Sequence, residues 1–456
     1  MKKLTRRTFL RKGIFAAAAT FALPLAMQRI GARQEHPGEA PGYGRLVPAP
    51  DLRDGVRRIS LPEGFSYRSF GLAGTIMSDG NLTPLAHDGM ATFPLPNGNI
   101  RIIRNHEDQN RPGQGSLHGV LSKQYDALSG GGTTSLEFDP VKRELVRDFI
   151  SLSGTYKNCS GGPTPWASWL SCEEAVVGQR EGFEKPHGYV YEVPALGEAA
   201  VHAVPLTALG RFLHESVAVD SRTGQVYETE DKGDTSGFYR FTPYVKGHLS
   251  EGRLEMLAIK GRPGYDTKAG QQPGVALPVH WVSIPEPDPV RFTEGSVSEQ
   301  GLSAGGAKFS RLEGCWYGDG SIFFNSTTGG RLGLGQVWRY EPTSNAGGLL
   351  TLIFESTDAS VLKSPDHLCI SPRGGLLLCE DKDDGPQYIR GLTQDGKVFD
   401  FACNIINEFD WAGATFDPTG ETLFVNLQGP TSGPNPPTAD PGMTLAIWGP
   451  WNNGPL

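Results

Sequence analysis

The stretch Asp366-His367-Leu368-Cys369-Ile370-Ser371-Pro372-Arg373-Gly374-Gly375-Leu376-Leu377-Leu378-Cys379-Glu380-Asp381 reads as a β-hairpin with acids at both ends. Two short β-rich runs flank a Pro-Arg-Gly-Gly turn, in which proline presets φ and glycine supplies conformations other residues resist. In an antiparallel hairpin the start of the first strand and the end of the second lie at one edge of the sheet. Asp366 and Asp381 therefore meet at that edge.

The pattern recurs along the chain. Asp88 to Phe93, a turn at Pro96-Asn97-Gly98 and Ile100 to Ile103 lead to Asn105-His106-Glu107. Glu215 to Asp220, turning at Arg222-Thr223-Gly224, lead through Gln225-Val226-Tyr227 to Thr229-Glu230-Asp231. Glu313 to Tyr317 turn at Gly318-Asp319-Gly320 and end in Asn325-Ser326-Thr327, and Trp411 to Asp417 turn at Pro418-Thr419-Gly420 and end in Asn426. A strand over Pro163–Glu174, preceded by its Gly161-Gly162 turn, is a divergent sixth copy. Six hairpins spaced by roughly fifty to ninety residues, each with room for two further strands, predict an all-β fold, a six-bladed β-propeller. A β-sandwich or two packed barrels is the competing architecture. If the hairpins are the inner strands, their acids converge at one mouth of the central channel. Such a ring repels itself and calls for bound cations.

The sixth copy carries a thiol as well. Asn158-Cys159-Ser160-Gly161-Gly162 leads into Thr164-Pro165-Trp166, and the strand closes on Trp169-Leu170-Ser171-Cys172-Glu173-Glu174. Buried carboxylates need a partner or a cation. A buried cysteine beside a solvated acidic turn accounts for the segment taken alone; the recurrence of the same ending elsewhere favours a site. Of the six cysteines, Cys159, Cys172, Cys315, Cys369, Cys379 and Cys403, none forms a CxxC pair or has zinc-ligand spacing. Most are expected to be buried small residues, with Cys172 the exception.

The chain opens on a twin-arginine pattern, Thr5-Arg6-Arg7-Thr8-Phe9-Leu10-Arg11-Lys12, followed by an alanine-rich apolar region from Ile14 to Met27. This fits an export signal over residues 1–34 that engages the twin-arginine translocation machinery, with a periplasmic or secreted destination. An uncleaved N-terminal anchor is the other reading. Eight Lys and Arg and no acid precede Gln34, so removing them from a formal net charge of −8 leaves a mature chain near −16. Such an acidic body is a poor match for nucleic acid or an anionic membrane and a reasonable host for hard cations. Residues 35–60 read as a Pro/Gly-rich linker and N-terminal segment, and 61–456 as one domain with a Pro-rich loop from Gly429 to Gly442.

Taken together, the twin-arginine start, Asn105-His106-Glu107, the Asn158–Gly162 and Thr164–Glu174 segments, Arg211-Phe212-Leu213-His214-Glu215, Thr229-Glu230-Asp231, Arg311-Leu312-Glu313 and Pro365-Asp366 resemble the PhoX-type alkaline phosphatases. The likeness covers most of the chain. It implies a propeller whose channel mouth holds a mixed iron (Fe3+) and calcium (Ca2+) cluster with a bridging oxo group. Carried across by motif, Cys172 and Glu215 would ligate iron, and Glu107, Glu173, Asp231, Glu313, Asp366 and Asp381 would complete the cluster. Arg311 would hold the phosphate oxygens of a small-molecule phosphoester. Thiolate suits iron and carboxylates suit both metals, so this donor set fits that picture.

The function expected is a metal-dependent phosphomonoesterase. A propeller with structural calcium that binds a partner or carbohydrate is the alternative, and a hydrolase of another ester, such as a lactone, a third. Arg311 separates the first from the others, because phosphate needs a cation at the mouth. His106 and His214 are expected to be packing or supporting groups rather than catalytic ones.

Overall fold

A computed structural model describes residues 42–289, 296–438 and 440–456; the twin-arginine segment lies outside them. Six antiparallel blades are wound in chain order around a central channel. Their inner strands are His87–Pro94, Asn158–Pro163, His214–Val219, Leu312–Gly318, Pro365–Ile370 and Trp411–Phe416, and each packs on the next, the last returning to the first. Each inner strand pairs with the second strand of its own hairpin, so five of the expected hairpins form at the innermost position of their blades. The short helix Val297–Ser303, with its Ser296 and Glu299 capping box, is the only α-helix among the described residues.

The sixth hairpin forms one step away from where the sequence puts it. Asn158–Pro163 is itself the inner strand of blade two, and Ser168–Glu173 is the second strand. The turn runs over Thr164–Ala167, closed by Thr164 N–H to Ser168 O and with Ala167 at φ 61°. Gly161 and Gly162 are thus strand residues. Blade two has three strands, and in place of a fourth Pro205 bridges to Tyr191 and Leu206 N–H bonds to Val190 O.

Inner strands are rich in small residues because they converge on the axis. A Cβ on Gly89 would lie 2.5 Å from Ser160 Cα of blade two, and one on Gly413 would lie 2.5 Å from Asp88 O of blade one. Side chains of the second strands tie blade to blade across the same contacts. Asn105 donates to Ser160 O, Thr229 to Glu313 O, Asn325 to Asp366 O and Asn426 to Asp88 O. Cys172 and Cys379 occupy the equivalent places in blades two and five.

The ring is closed by strands distant in sequence. Ser66–Phe70 is the outer strand of blade six, while Leu46–Ala49, in the stretch expected as linker and N-terminal segment, and Ile59–Pro62, which straddles its end, extend blade five. Ala276–Ser283 pairs with the outer strands of both blades three and four and stitches them into one sheet. The apolar core lies between blades, for example Phe238 stacked 4.3 Å from Phe324 where blade three meets blade four. All six cysteines are unpaired and buried.

Candidate metal centre at the channel mouth

Every inner strand bulges near its start. The register shifts between His87 and Met90, Asn158 and Gly161, His214 and Val217, Leu312 and Cys315, Pro365 and Leu368, and Ala412 and Thr415. A bulge re-aims side chains out of strict alternation. The second residues of five of these strands, Asp88, Cys159, Glu215, Glu313 and Asp366, line one cavity of 440 Å³ at the mouth. Blade six supplies Ala412 at this position.

A second tier comes from the residue after each second strand. Its backbone N–H bonds to the residue just before the inner strand: Glu107 to Ala86, Glu174 to Lys157, Asp231 to Leu213, Thr327 to Arg311, Asp381 to Ser364 and Gln428 to Asp410. Of these second-tier residues Glu107, Glu174, Asp381 and Gln428 line the cavity, as do Lys157, Arg311 and Asp410 from the residues they bond to. The Pro-rich loop adds Gly429, Pro430 and Thr431 to the wall. The site is thus one backbone motif repeated six times with different side chains.

Of the ligands expected from sequence, Glu107, Glu215, Glu313, Asp366 and Asp381 reach the cavity together with Arg311. Asp231 stands behind it, accepting from Arg311 Nη2 at 2.9 Å, while the same Nη2 reaches Glu313 Oε1 at 2.7 Å. Cys172 and Glu173 do not line it. Cys172 is packed in the core between blades two and three. Glu173 faces away and is saturated, accepting from Tyr156 N, Gly188 N, Tyr189 N and His187 Nδ1. Their places are taken by Cys159 and Glu174. Moving along a strand by one residue sends a side chain to the opposite face, so reading the turn at Gly161-Gly162 points to Cys172 and Glu173, whereas Cys159 and Glu174 line the cavity. Cys159, Lys157, Glu174, His367 and Asp410 were absent from the expected site, and Asp88 was expected among the acids at the mouth but not among the ligands. The signal for Asp88 and Cys159 was present, since both stand in the column that holds Glu215, Glu313 and Asp366.

The cavity carries a strong excess of carboxyl groups over cations. Eight carboxyl side chains line it, against Lys157, Arg311 and His367 as cations among the described residues. His367 bridges Asp88 at 3.2 Å and Asp366 at 3.3 Å. Burial, followed by neighbouring acids, pushes Glu107, Glu215 and Glu313 well above the usual carboxylate range. Burial likewise raises Glu174 to about 7, Asp381 to about 6 and Asp410 to about 9. Asp366 is the exception: burial acts to raise it, but His367 and Arg311 hold it below its ordinary value. Burial and then Glu215 raise the Cys159 thiol. His106 bonds Leu85 O and Thr134 Oγ1, and burial drives its proton affinity down. His214 bonds Gly210 O, and burial lowers it to about 3. Both histidines pack rather than line the mouth.

Two triads have the spacing of cation sites. Donor atoms of Cys159, Glu174 and Glu215 lie within 4.8 Å of one another, as do those of Glu215, Glu313 and Asp366. Glu215 belongs to both, is 2% exposed, and its Oε1 has no hydrogen-bond partner. An orphaned buried carboxylate oxygen shared by two acidic triads is what a cation would satisfy.

Comparison with known proteins shows the fold and the family. The solved structure of Pseudomonas fluorescens PhoX in complex with vanadate, a transition state analogue, is similar over 90% of this chain and 98% of its own, with a TM-score of 0.65 and 17% identity. A putative 6-phosphogluconolactonase from Bacteroides uniformis is similar over 76% and 81% at 13% identity, with a TM-score of 0.37. No curated protein matches the chain by sequence. The family model for alkaline phosphatase PhoX matches residues 41–431, most of the chain, so the chain belongs to the PhoX alkaline phosphatase family and is by that membership a phosphatase.

Proposed function

We propose that this chain is an exported phosphomonoesterase, with residues 61–456 and the blade-five strands that precede them as its single domain, working at an iron and calcium centre in the channel mouth. The observation that carries the reading is the pair of triads sharing Glu215, set beside Arg311 in one cavity. Cys159 and Glu215 are the iron ligands in this reading, because a thiolate suits iron and not calcium. Glu174, Glu107, Glu313, Asp366 and Asp381, backed by Asp231, offer hard oxygens for calcium. Cations held there supply Lewis acidity and neutralise charge gathering on a transferred phosphoryl group.

The chain's own groups bind and orient the ester. Arg311 is held by Asp231 and Glu313, and its side chain keeps 37% exposure. A fixed, accessible guanidinium suits two phosphate oxygens. One of the two acids that hold it, Glu313, also belongs to a Glu215 triad, so the guanidinium stands beside that triad. Pro430 and Phe409 give the lining an apolar contribution suited to the organic part of the substrate. Export rests on the twin-arginine segment, and no helix among the described residues is long and apolar enough to cross a membrane.

Arg311→Ala is the test. The variant should keep its metals by elemental analysis while kcat/KM for a simple aryl phosphate falls by about 2–4 kcal/mol, roughly thirty- to nine-hundred-fold. Unchanged kcat/KM would remove Arg311 from the substrate site.

A further inference from the structure

We propose that Lys157 is a second phosphate-binding cation that works with Arg311, Lys157 beside the triad that holds Glu174 and Arg311 beside the triad that holds Glu313; this rests on the phosphatase reading above. Lys157 and Arg311 occupy the same backbone position in blades two and four, each immediately before its inner strand. Both adopt left-handed backbone, φ 49° and 47°, as do Ala86 and Ser364 at the equivalent position of blades one and five, so the turn belongs to the ring and the cationic side chains are what Lys157 and Arg311 share. Their ion pairs are also parallel. Each reaches the acid after the second strand of the preceding blade, Lys157 to Glu107 at 3.6 Å and Arg311 to Asp231 at 2.9 Å. Each then reaches an acid of its own blade, Lys157 to Glu174 at 2.8 Å and Arg311 to Glu313 at 2.7 Å.

Neither cation is sealed by these contacts. The Lys157 side chain retains 23% exposure and lines the same cavity as Arg311. A phosphate monoester presents three peripheral oxygens and up to two charges, and one guanidinium fork engages two of the oxygens. The third oxygen needs another donor. His367 is held between Asp88 and Asp366, and Gln428 Nε2 is engaged by Asp88 and Glu107. The equivalent positions in the other four blades are Ala86, Leu213, Ser364 and Asp410, none of them cationic. An ammonium on a flexible four-carbon stem is suited to turn from Glu107 towards an arriving phosphate.

The test compares Lys157→Met and Lys157→Arg with wild type, using inorganic phosphate as a competitive inhibitor of aryl phosphate hydrolysis, with metal content measured on the same preparations. Lys157→Met should raise the inhibition constant of phosphate and the KM of the ester about tenfold or more. Lys157→Arg should recover both to within about threefold, because it returns the charge. An inhibition constant unchanged in metal-replete Lys157→Met would overturn the proposal and leave the lysine as a neutraliser of Glu107 and Glu174. So would a weakened constant in Lys157→Met that tracks metal loss and returns when metal is restored. A wild type that neither hydrolyses the ester nor binds phosphate would remove the phosphatase reading itself, a result distinct from either.

Discussion

Replacing each of the two thiols of blade two by serine separates the two roles that the sequence confuses. Cys159 Sγ lies 3.2 Å from His214 O, so a serine hydroxyl at this position has a ready acceptor and the fold should lose no more than about 1 kcal/mol. The metal term is larger. Serine removes the negative sulfur, and one unit charge about 4 Å from a cation is worth about 4 kcal/mol at an effective dielectric of 20. That corresponds to roughly a thousandfold weaker binding. Cys172 gives the opposite balance. It stands where Thr229 of blade three donates to Glu313 O, so a serine hydroxyl has a comparable carbonyl to meet. A buried hydroxyl left unpaired costs about 1–3 kcal/mol, and one hydrogen bond returns about 1. Cys172→Ser should therefore melt slightly lower and keep its iron. Elemental analysis and thermal melts on both variants decide the matter. Iron retained in Cys159→Ser and lost in Cys172→Ser would refute the assignment.

Two further outcomes test the blades themselves. His187 is wholly buried, 2.7 Å from Glu173 and 3.4 Å from Asp126; burial is the largest influence and acts to lower its proton affinity, but the two acids outweigh it and raise the pKa to about 9. A raised histidine stabilises fully below its unfolded pKa near 6.5 and loses that contribution as pH rises through about 9, an effect of up to about 3 kcal/mol. His187→Gln should thus cost more stability at pH 6 than at pH 10, and parallel pH–stability curves for variant and wild type would count against the ion triad. Gly413 has φ 65° and meets Asp88 O, whereas Gly385, at φ 79°, faces open space. In denaturant titrations Gly413→Ala should cost about 3 kcal/mol or more and Gly385→Ala about 1, the difference being the inter-strand clash; equal costs would mean that the inner strands do not touch as described.

The sequence made the hairpins legible because turn chemistry is local. Pro372-Arg373-Gly374-Gly375 and Pro418-Thr419-Gly420 sit between runs whose partners are only a few residues away. The acids followed, since Asp366 with Asp381 and Glu215 with Asp231 occupy the two ends that any hairpin brings together. In blade two the glycines misled: Gly161 and Gly162 are small because neighbouring strands crowd them, Gly162 lying where a Cβ would be 1.9 Å from Val217 O. That crowding is tertiary and has no local signature. Lys157, Asp410 and His367 were missed for a related reason, because only the assembled ring aims them into one cavity. Ser66–Phe70 pairs with Met443–Trp448 across nearly the whole chain, and no short-range pattern announces such a contact.

We propose the acid-ringed mouth as a metal-dependent phosphatase centre. Its most direct test is hydrolysis of a simple aryl phosphate by freshly purified protein between pH 7 and 10, repeated after exhaustive chelation and after returning calcium and iron, with elemental analysis at each stage. We expect activity that falls with the metals and returns with them, together with a lower melting temperature in the stripped protein, because a ligand that binds only the folded state stabilises it. Protein that holds both metals and hydrolyses nothing, or that keeps full activity once the metals are shown to be gone, would contradict it.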